Sequence, residues 1–234
     1  MKILSVSDRE CDYLFSQLEK NPGLGKTFDL VASCGDLRDE TVMRLADLTN
    51  KIVLYVDGNH FFYDAESRAA NRSRFKDVTT DIPGARCAHL KLIPVGNALV
   101  CGFSGSLRYK DGPGQYTESE MRRNVRLTLL KLRWHRIKER LAGKKPSPLI
   151  VLSHAPIKNL GDGTDLPHQG FEAFDWFIRK AKPILWIHGH VHLADFKEMR
   201  NFELEKTKVV NTYEFKTIEI AVNGIHIGFH LPGE

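Results

Sequence analysis

The sequence predicts an α/β layered fold with a largely buried central sheet, and three observations predict it. Short β-branched runs recur with helix-like segments between them, five of those runs end in polar loops, and the chain closes on a stretch of two-residue period.

The elements follow in order. "KILSVS" is a buried strand whose apolar pattern stops at Asp8, Arg9 and Glu10, delivering two carboxylates to a loop. Tyr13 to Lys20 has helical spacing, "DLVASC" is the next strand, Thr41 to Asn50 is helical again, and "KIVLYV" is the third strand. "NALVCGF", "PLIVLS" and "PILWIH" continue the alternation, with a helix over Gly170 to Ala181 before the last. "VVNTYEFKTIEIAVNGIHIGFH" alternates with period two around Asn223-Gly224, the signal of a type I′ hairpin. No internal repeat is evident, and the one linker-like stretch, Ala142 to Pro148, is short, so residues 1–234 are expected to form one domain.

Composition narrows the function classes. With 42% hydrophobic and 27% charged residues, a 234-residue chain can bury a substantial core and is not a disordered segment. No apolar run approaches the roughly 20 residues that span a bilayer, and the N-terminus lacks the pattern of a signal peptide, which predicts a cytoplasmic protein without a membrane partner. Cys11, Cys34, Cys87 and Cys101 stand singly, with no CxxC spacing, and read as buried free thiols rather than disulfides or zinc ligands. A net charge of +5 suits anionic partners without choosing among phosphate esters, nucleic acid and acidic proteins.

The chemistry gathers where strands end. Ligand-type residues follow five strands: Asp8/Glu10, Gly35-Asp36, Gly58 to His60, Ser153 to Pro156, and His188 to His192. In an open α/β sheet the carboxyl ends of neighbouring strands share one edge, so these loops should converge. His190 and His192, two apart, can point to one side of an extended segment, and Gly189 permits close backbone approach.

The order D-x-x, GD, GNH, SHxP, GHxH, each after an apolar strand, resembles the calcineurin-like metallophosphoesterase family from Asp8 to His192. The resemblance implies a four-layer α/β/β/α sandwich extended by the C-terminal β-hairpin. It also implies one metal ion held by Asp8, Asp36 and His192, and a second held by Asp36, Asn59, His154 and His190. "GDGTDLPHQGFEAF" resembles a further family segment, in which Asp165 and His168 either orient the site or serve as a loop cap. Imidazole and carboxylate ligands suit two divalent transition-metal ions, with Mn²⁺ foremost and Fe or Zn²⁺ as alternatives. Such a pair activates water for attack at phosphorus. His60 is placed to protonate the leaving oxygen, its alternative role being a loop hydrogen bond.

Two departures from the family stand out. Phe61-Phe62 follows His60 where many members have an acid, so a carboxylate partner would have to be Asp57 or Asp64. Glu10 stands where the family usually has histidine, and it either ligates the first metal or turns to solvent or to a basic side chain. Ligation by Glu10 is the expectation carried forward.

A last region bears on substrate. A Gly-rich loop leads into a long amphipathic helix opened by Thr117 with Glu120 three residues on. Met121, Val125, Leu129, Leu132 and Leu141 line its packing face, and Arg122, Arg123, Arg126, Lys131, Arg133, Arg136, Lys138 and Arg140 make the rest basic. That face, over residues 118–141, is either solvated surface or a track for nucleic acid. Arg108 and Tyr109 are the candidates for direct phosphate contact, since arginine binds phosphoryl oxygens in bidentate fashion. The functional expectation is a phosphoesterase leaning to diesters. Its rivals are a non-catalytic scaffold, of which the retromer subunit with this fold is a precedent, and a nuclease.

Overall fold

The computed structural model describes residues 1–60 and 82–232. Strands β1 (Lys2–Ser7), β2 (Leu30–Ser33), β3 (Val53–Tyr55) and β4 (Ala85–Cys87) run parallel. β13 (Glu214–Ala221) and β14 (Gly224–Gly228) extend this sheet antiparallel, in the order β14-β13-β1-β2-β3-β4. The second sheet is ordered β11-β12-β10-β9-β6-β5. Its strands are β5 (Leu92–Val95), β6 (Ala98–Phe103), β9 (Leu149–Ser153), β10 (Leu185–His188), β11 (Asn201–Leu204) and β12 (Thr207–Asn211). The inner four are parallel and the two edges antiparallel. β7 (Ser106–Leu107) and β8 (Gln115–Tyr116) form a small parallel ribbon.

Three apolar layers hold the sandwich together, because successive strand side chains point to opposite faces. Ile3, Ala32, Leu54, Val100, Ile150, Leu152 and Ile187 fill the space between the sheets. Leu4, Val6, Val31 and Tyr55 face outward onto α1 (Asp12–Lys20) and α2 (Asp39–Thr49), meeting Leu14, Phe15, Leu18, Val42 and Leu45. On the far side Leu99, Cys101, Phe103, Val151 and Trp186 pack under α3 (Glu118–Leu141) and α4 (Glu172–Ala181). Phe174 and Phe177, at helical spacing on α4, lie 5.3 and 5.2 Å from Phe103 ring to ring. Each such side chain contributes about 1.5–3 kcal/mol on burial. The architecture is the expected four-layer α/β/β/α sandwich with its C-terminal hairpin.

α3 begins with the anticipated capping box, in which Thr117 accepts from the Glu120 N–H and Glu120 accepts from the Thr117 N–H. Met121, Val125 and Leu132 are buried under it, whereas Leu141, expected on the packing face, is 83% exposed. Leu141 is nine residues from Leu132, half a turn round the helix, so it falls on the face away from the sheet. Ala142 to Pro148 joins α3 directly to β9.

The hairpin differs from expectation in register. Ala221 pairs with Gly224, so the two loop residues are Val222 and Asn223, and the positive φ falls on Gly224 at +140°. A type I′ turn over Asn223-Gly224 would shift the loop one residue later and require positive φ at both of them. Strands β4, β5, β7, β8 and β11 have no clear periodic signal. β7 and β8 have two residues each, and β5 carries Pro94, tolerated because β5 is an edge strand. All four cysteines are buried free thiols. Among the described residues no helix is long and apolar enough to cross a membrane.

Candidate metal centre

The loops after β1, β2 and β3 come from adjacent strands of one sheet, and those after β9 and β10 from adjacent strands of the other. The parallel register puts their carboxyl ends on a common edge. Backbone bonds tie the loops together: the Asp8 N–H donates to the Gly35 carbonyl at 3.0 Å, and the Gly189 N–H to the His154 carbonyl at 3.1 Å. Asp8, Asp36 and His190 all adopt left-handed backbone conformations, with φ of 66°, 56° and 69°. Such a conformation costs a non-glycine residue about 1–2 kcal/mol, so the packing around this edge holds strain at three donor residues.

Asp36, His154 and His190 are buried, and one ligand atom from each lies within 4.8 Å of the others. His154 is fully buried, with Nδ1 2.8 Å from the Cys34 carbonyl and Nε2 2.8 Å from Asn59 Oδ1 and 3.3 Å from Asp36 Oδ2. Burial alone would lower its pKa, but the charge and hydrogen bond of Asp36, with Asp8 and the Cys34 carbonyl, raise it to about 9. His154 is therefore an imidazolium whose two N–H groups donate to Cys34 and toward Asn59 and Asp36. Burial would raise the Asp36 pKa, and His154 together with the His60 N–H brings it down to about 2.

His190 is the complementary case. Burial and the positive His154 hold its pKa down at about 3, so the ring is neutral. Its Nε2 lies 2.7 Å from the Pro167 carbonyl, which assigns the proton to Nε2 and leaves the Nδ1 lone pair as the donor atom. The His190 backbone N–H donates to both Asp8 oxygens at 3.0 Å, and Ser7 Oγ donates to Oδ2 at 2.5 Å. Desolvation, reinforced by the Asp36 charge, raises the Asp8 pKa against the opposing influence of His154.

The remaining expected residues are placed unevenly. Asn59 is buried, with its Oδ1 on His154 and its Nδ2 donating to the Tyr109 hydroxyl at 3.1 Å. His192 Nε2 is 4.0 Å from Asp8 Oδ1, and the His192 side chain is 65% exposed, its ring tilted against Tyr213 at 5.0 Å. His60 is exposed, and its backbone N–H donates to Asp36 Oδ1 at 2.9 Å. His168 Nδ1 lies 2.6 Å from Asp165 Oδ2, and the His168 ring lies 5.2 Å from that of His190, which brings the pair beside the cluster. Phe61, Phe62 and Asp64 lie outside the described residues.

Two residues are turned away. Glu10 takes the alternative of a basic partner, with Arg44 Nη1 donating to its Oε1 at 2.6 Å and Thr41 Oγ1 to its Oε2 at 2.9 Å. Both oxygens of Glu10 are thus engaged by α2. Arg108 donates to Glu120 at 3.1 Å and to the Gln115 carbonyl, closing the capping box of α3 rather than pointing at the cluster. Sequence reading missed Ser7, Tyr213 and the Pro167 carbonyl, since a hydroxyl, a ring and a backbone oxygen carry no motif of their own. Gly58 was visible only as part of "GNH", yet a Cβ there would sit 1.8 Å from Asp36 Oδ1.

The profile of the calcineurin-like phosphoesterases matches residues 8–194, which spans every donor described above. One solved crystal structure, 16% identical, covers 98% of this chain and 99% of its own at a TM-score of 0.62. The crystal structure of TT1561 from Thermus thermophilus, 17% identical, covers 97% of each chain at 0.60. These likenesses concern the fold. Among curated proteins none matches the chain. A family match over most of the sequence, meeting a buried carboxylate and imidazole cluster at the shared strand edge, places the chain in the calcineurin-like phosphoesterase family.

Proposed function

We propose that the protein, working as a single domain, hydrolyses phosphate esters with two divalent transition-metal ions, and that phosphodiesters are its preferred class. The observation that carries this reading is the buried trio Asp36, His154 and His190 with its donor atoms already convergent. The donor chemistry fits such ions: two neutral-capable imidazoles, carboxylates and an amide oxygen suit Mn²⁺ first, with Fe or Zn²⁺ close behind. Asp8, Asp36 and His192 would hold one ion, and Asp36, Asn59, His154 and His190 the other. Bound there, the ions supply a water nucleophile ionised near neutral pH and positive charge for the phosphoryl oxygens.

The chain's own residues do the rest. Cys34 and Pro167 carbonyls orient the two imidazoles, and Ser7 with the His190 N–H orients Asp8. His60, held beside Asp36 through its backbone and open to solvent, donates the proton to the leaving oxygen. Tyr109, already on Asn59, faces the substrate, and Arg108 reaches a phosphoryl oxygen only by leaving Glu120. The preference for diesters is supported by the net charge of +5, which suits an anionic substrate. A cytoplasmic location is supported by four unpaired thiols. A pure scaffold has no need of backbone strain at three donor residues, which favours the enzyme.

The test is elemental analysis of gently purified protein, followed by mono- and diester panels with added Mn²⁺ and with chelator. Metal near two ions per chain and chelator-sensitive hydrolysis are expected, and full activity in excess chelator would refute the mechanism. His60→Ala should slow esters with poor leaving groups far more than aryl esters, at unchanged metal content.

A further inference from the structure

The solvent side of α3 carries an apolar line that neither the fold nor the site uses. Leu127, Leu130, Trp134, Ile137 and Leu141 are 43%, 55%, 65%, 39% and 83% exposed. Their spacing of three, four, three and four residues is the a/d repeat of a helix-pairing seam. At 100° per residue the line lies opposite Met121, Val125, Thr128 and Leu132, which are buried against the sheet. The seam runs about 21 Å along a helix that its capping box and inner face already hold rigid.

Its flanks have one sign. Arg126, Arg133 and Arg140 line one side of the seam, and Lys131 and Lys138 the other, all exposed. Among the described residues Arg126, Arg133, Lys138 and Arg140 have no ion pair, and Lys131 donates only to the Leu90 carbonyl. The acidic side chains of α3 are engaged elsewhere: Glu118 with α4 and Arg122, Glu120 with Thr117 and Arg108, Glu139 with Ser147 and Arg136. We infer that this seam is the docking face for an amphipathic helix of another protein, with an apolar stripe flanked by glutamate or aspartate.

Charge decides among occupants. A second copy of α3 would set arginine against arginine and lysine against lysine in an antiparallel pair, or arginine against lysine in a parallel one, and either repels. Nucleic acid would meet the cations but leave five apolar side chains against water or phosphate. An anionic membrane satisfies both features, but an interfacial helix presents a broad apolar face. The five side chains here lie within about 80° of the helix circumference, the narrow stripe of a helix-pairing seam. A narrow seam with basic borders matches the knobs-into-holes packing of an acidic helix, with each border cation facing a carboxylate.

The test uses the full chain and two fluorescently labelled 21-residue helical peptides, each with leucine at the a and d positions. One carries glutamate at the flanking e and g positions and the other lysine. Fluorescence anisotropy should show the glutamate peptide binding at least tenfold more tightly than the lysine peptide, with an affinity that weakens as salt rises. Leu130→Glu with Trp134→Glu should abolish that binding while thermal unfolding and metal content stay at wild-type values, since both residues are exposed. Equal binding of the two peptides, or no binding of either, overturns the proposal. Sedimentation showing a wild-type dimer that the double variant loses would assign the seam to a second copy. Flotation with phosphatidylglycerol vesicles, or oligonucleotide binding that the double variant loses, would assign it to a membrane or to nucleic acid. Any of these three results also refutes the acidic helix.

Discussion

His154 Nε2 lies 3.3 Å from Asp36 Oδ2, an imidazolium and a carboxylate buried together at the edge shared by the two sheets. With Nδ1 on the Cys34 carbonyl, Nε2 is the nitrogen left for a metal ion, so a cation binding between His154 and Asp36 would displace the proton they share.

Metal uptake should therefore release a proton. Burial opposes the charged ring, yet Asp36 raises the His154 pKa from 6.5 to about 9, so the ion pair's contribution to the fold is complete below pH 6.5 and fades as pH rises through 9. A ligand nitrogen must be unprotonated, so Mn²⁺ affinity should climb about tenfold per pH unit from 7 toward 9 and then level off. His190, with a pKa near 3, adds nothing in that range. Mn²⁺ titrations at several pH values, with proton release followed in weak buffer, give the slope. A flat affinity from pH 7 to 9 would mean that His154 is neutral before metal enters.

Gly58 is the position least able to accept a side chain. A Cβ there would lie 1.8 Å from Asp36 Oδ1 and 2.7 Å from the Asp36 nitrogen, so turning the carboxylate does not relieve the overlap. Gly58→Ala should lower Mn²⁺ affinity and activity by one to two orders of magnitude, on the scale of a misdirected ligand. Gly23→Ala is the control, since no atom lies within 4 Å of its Cβ. Equal metal affinity in the two variants would separate Asp36 from the metal centre.

Glu10 is expected to act on α2 and not on the metal. Its pair with Arg44 is 35% and 43% exposed on the two side chains, so Glu10→Ala should cost roughly 1 kcal/mol of stability or less, with half-maximal Mn²⁺ unchanged. Glu10→His, which restores the family's usual residue, should by contrast tighten binding at the first ligand set. If Glu10→Ala raises half-maximal Mn²⁺ more than tenfold, the carboxylate swings from Arg44 into the site on loading.

The end of α3 should fail first in acid. Glu139 has an 8% exposed side chain, and although its burial works to raise the pKa, Ser147 and Arg136 bring it down from 4.5 to about 2. A depressed carboxylate stabilises the fold above its unfolded pKa and loses that contribution as pH falls from 4.5 to 2. At about 1.4 kcal/mol per pKa unit the effect is on the order of 3–4 kcal/mol. Glu139→Gln should lose most of it at neutral pH and flatten the stability profile between pH 4.5 and 2, read by denaturant unfolding. A variant with the wild-type slope would assign the acid sensitivity to other carboxylates.

How far the sequence reaches is clearest at particular residues. The alternation of β-branched runs and amphipathic segments determined the layers by itself, because burial on both faces leaves "LIVLS" and "LWIH" continuously apolar. The five strand-end motifs likewise determined which edge carries the chemistry, since parallel strands align their carboxyl ends. Other features belong to tertiary structure. Glu10 and Arg44 are 34 residues apart, and only the packing of α2 beside β1 and β2 brings them together. Which of the two apolar stripes of α3 is covered is set by the sheet it meets: Met121, Val125 and Leu132 are buried, while Leu130, Trp134 and Leu141 are exposed. Strands β4, β5, β7, β8 and β11 owe their form to neighbouring strands, as local propensity over so short a run is weaker than the hydrogen bonds it meets. The charge states of His154 and His190 were also beyond the sequence: two histidines of one type differ because one faces Asp36 and the other faces the positive charge that results.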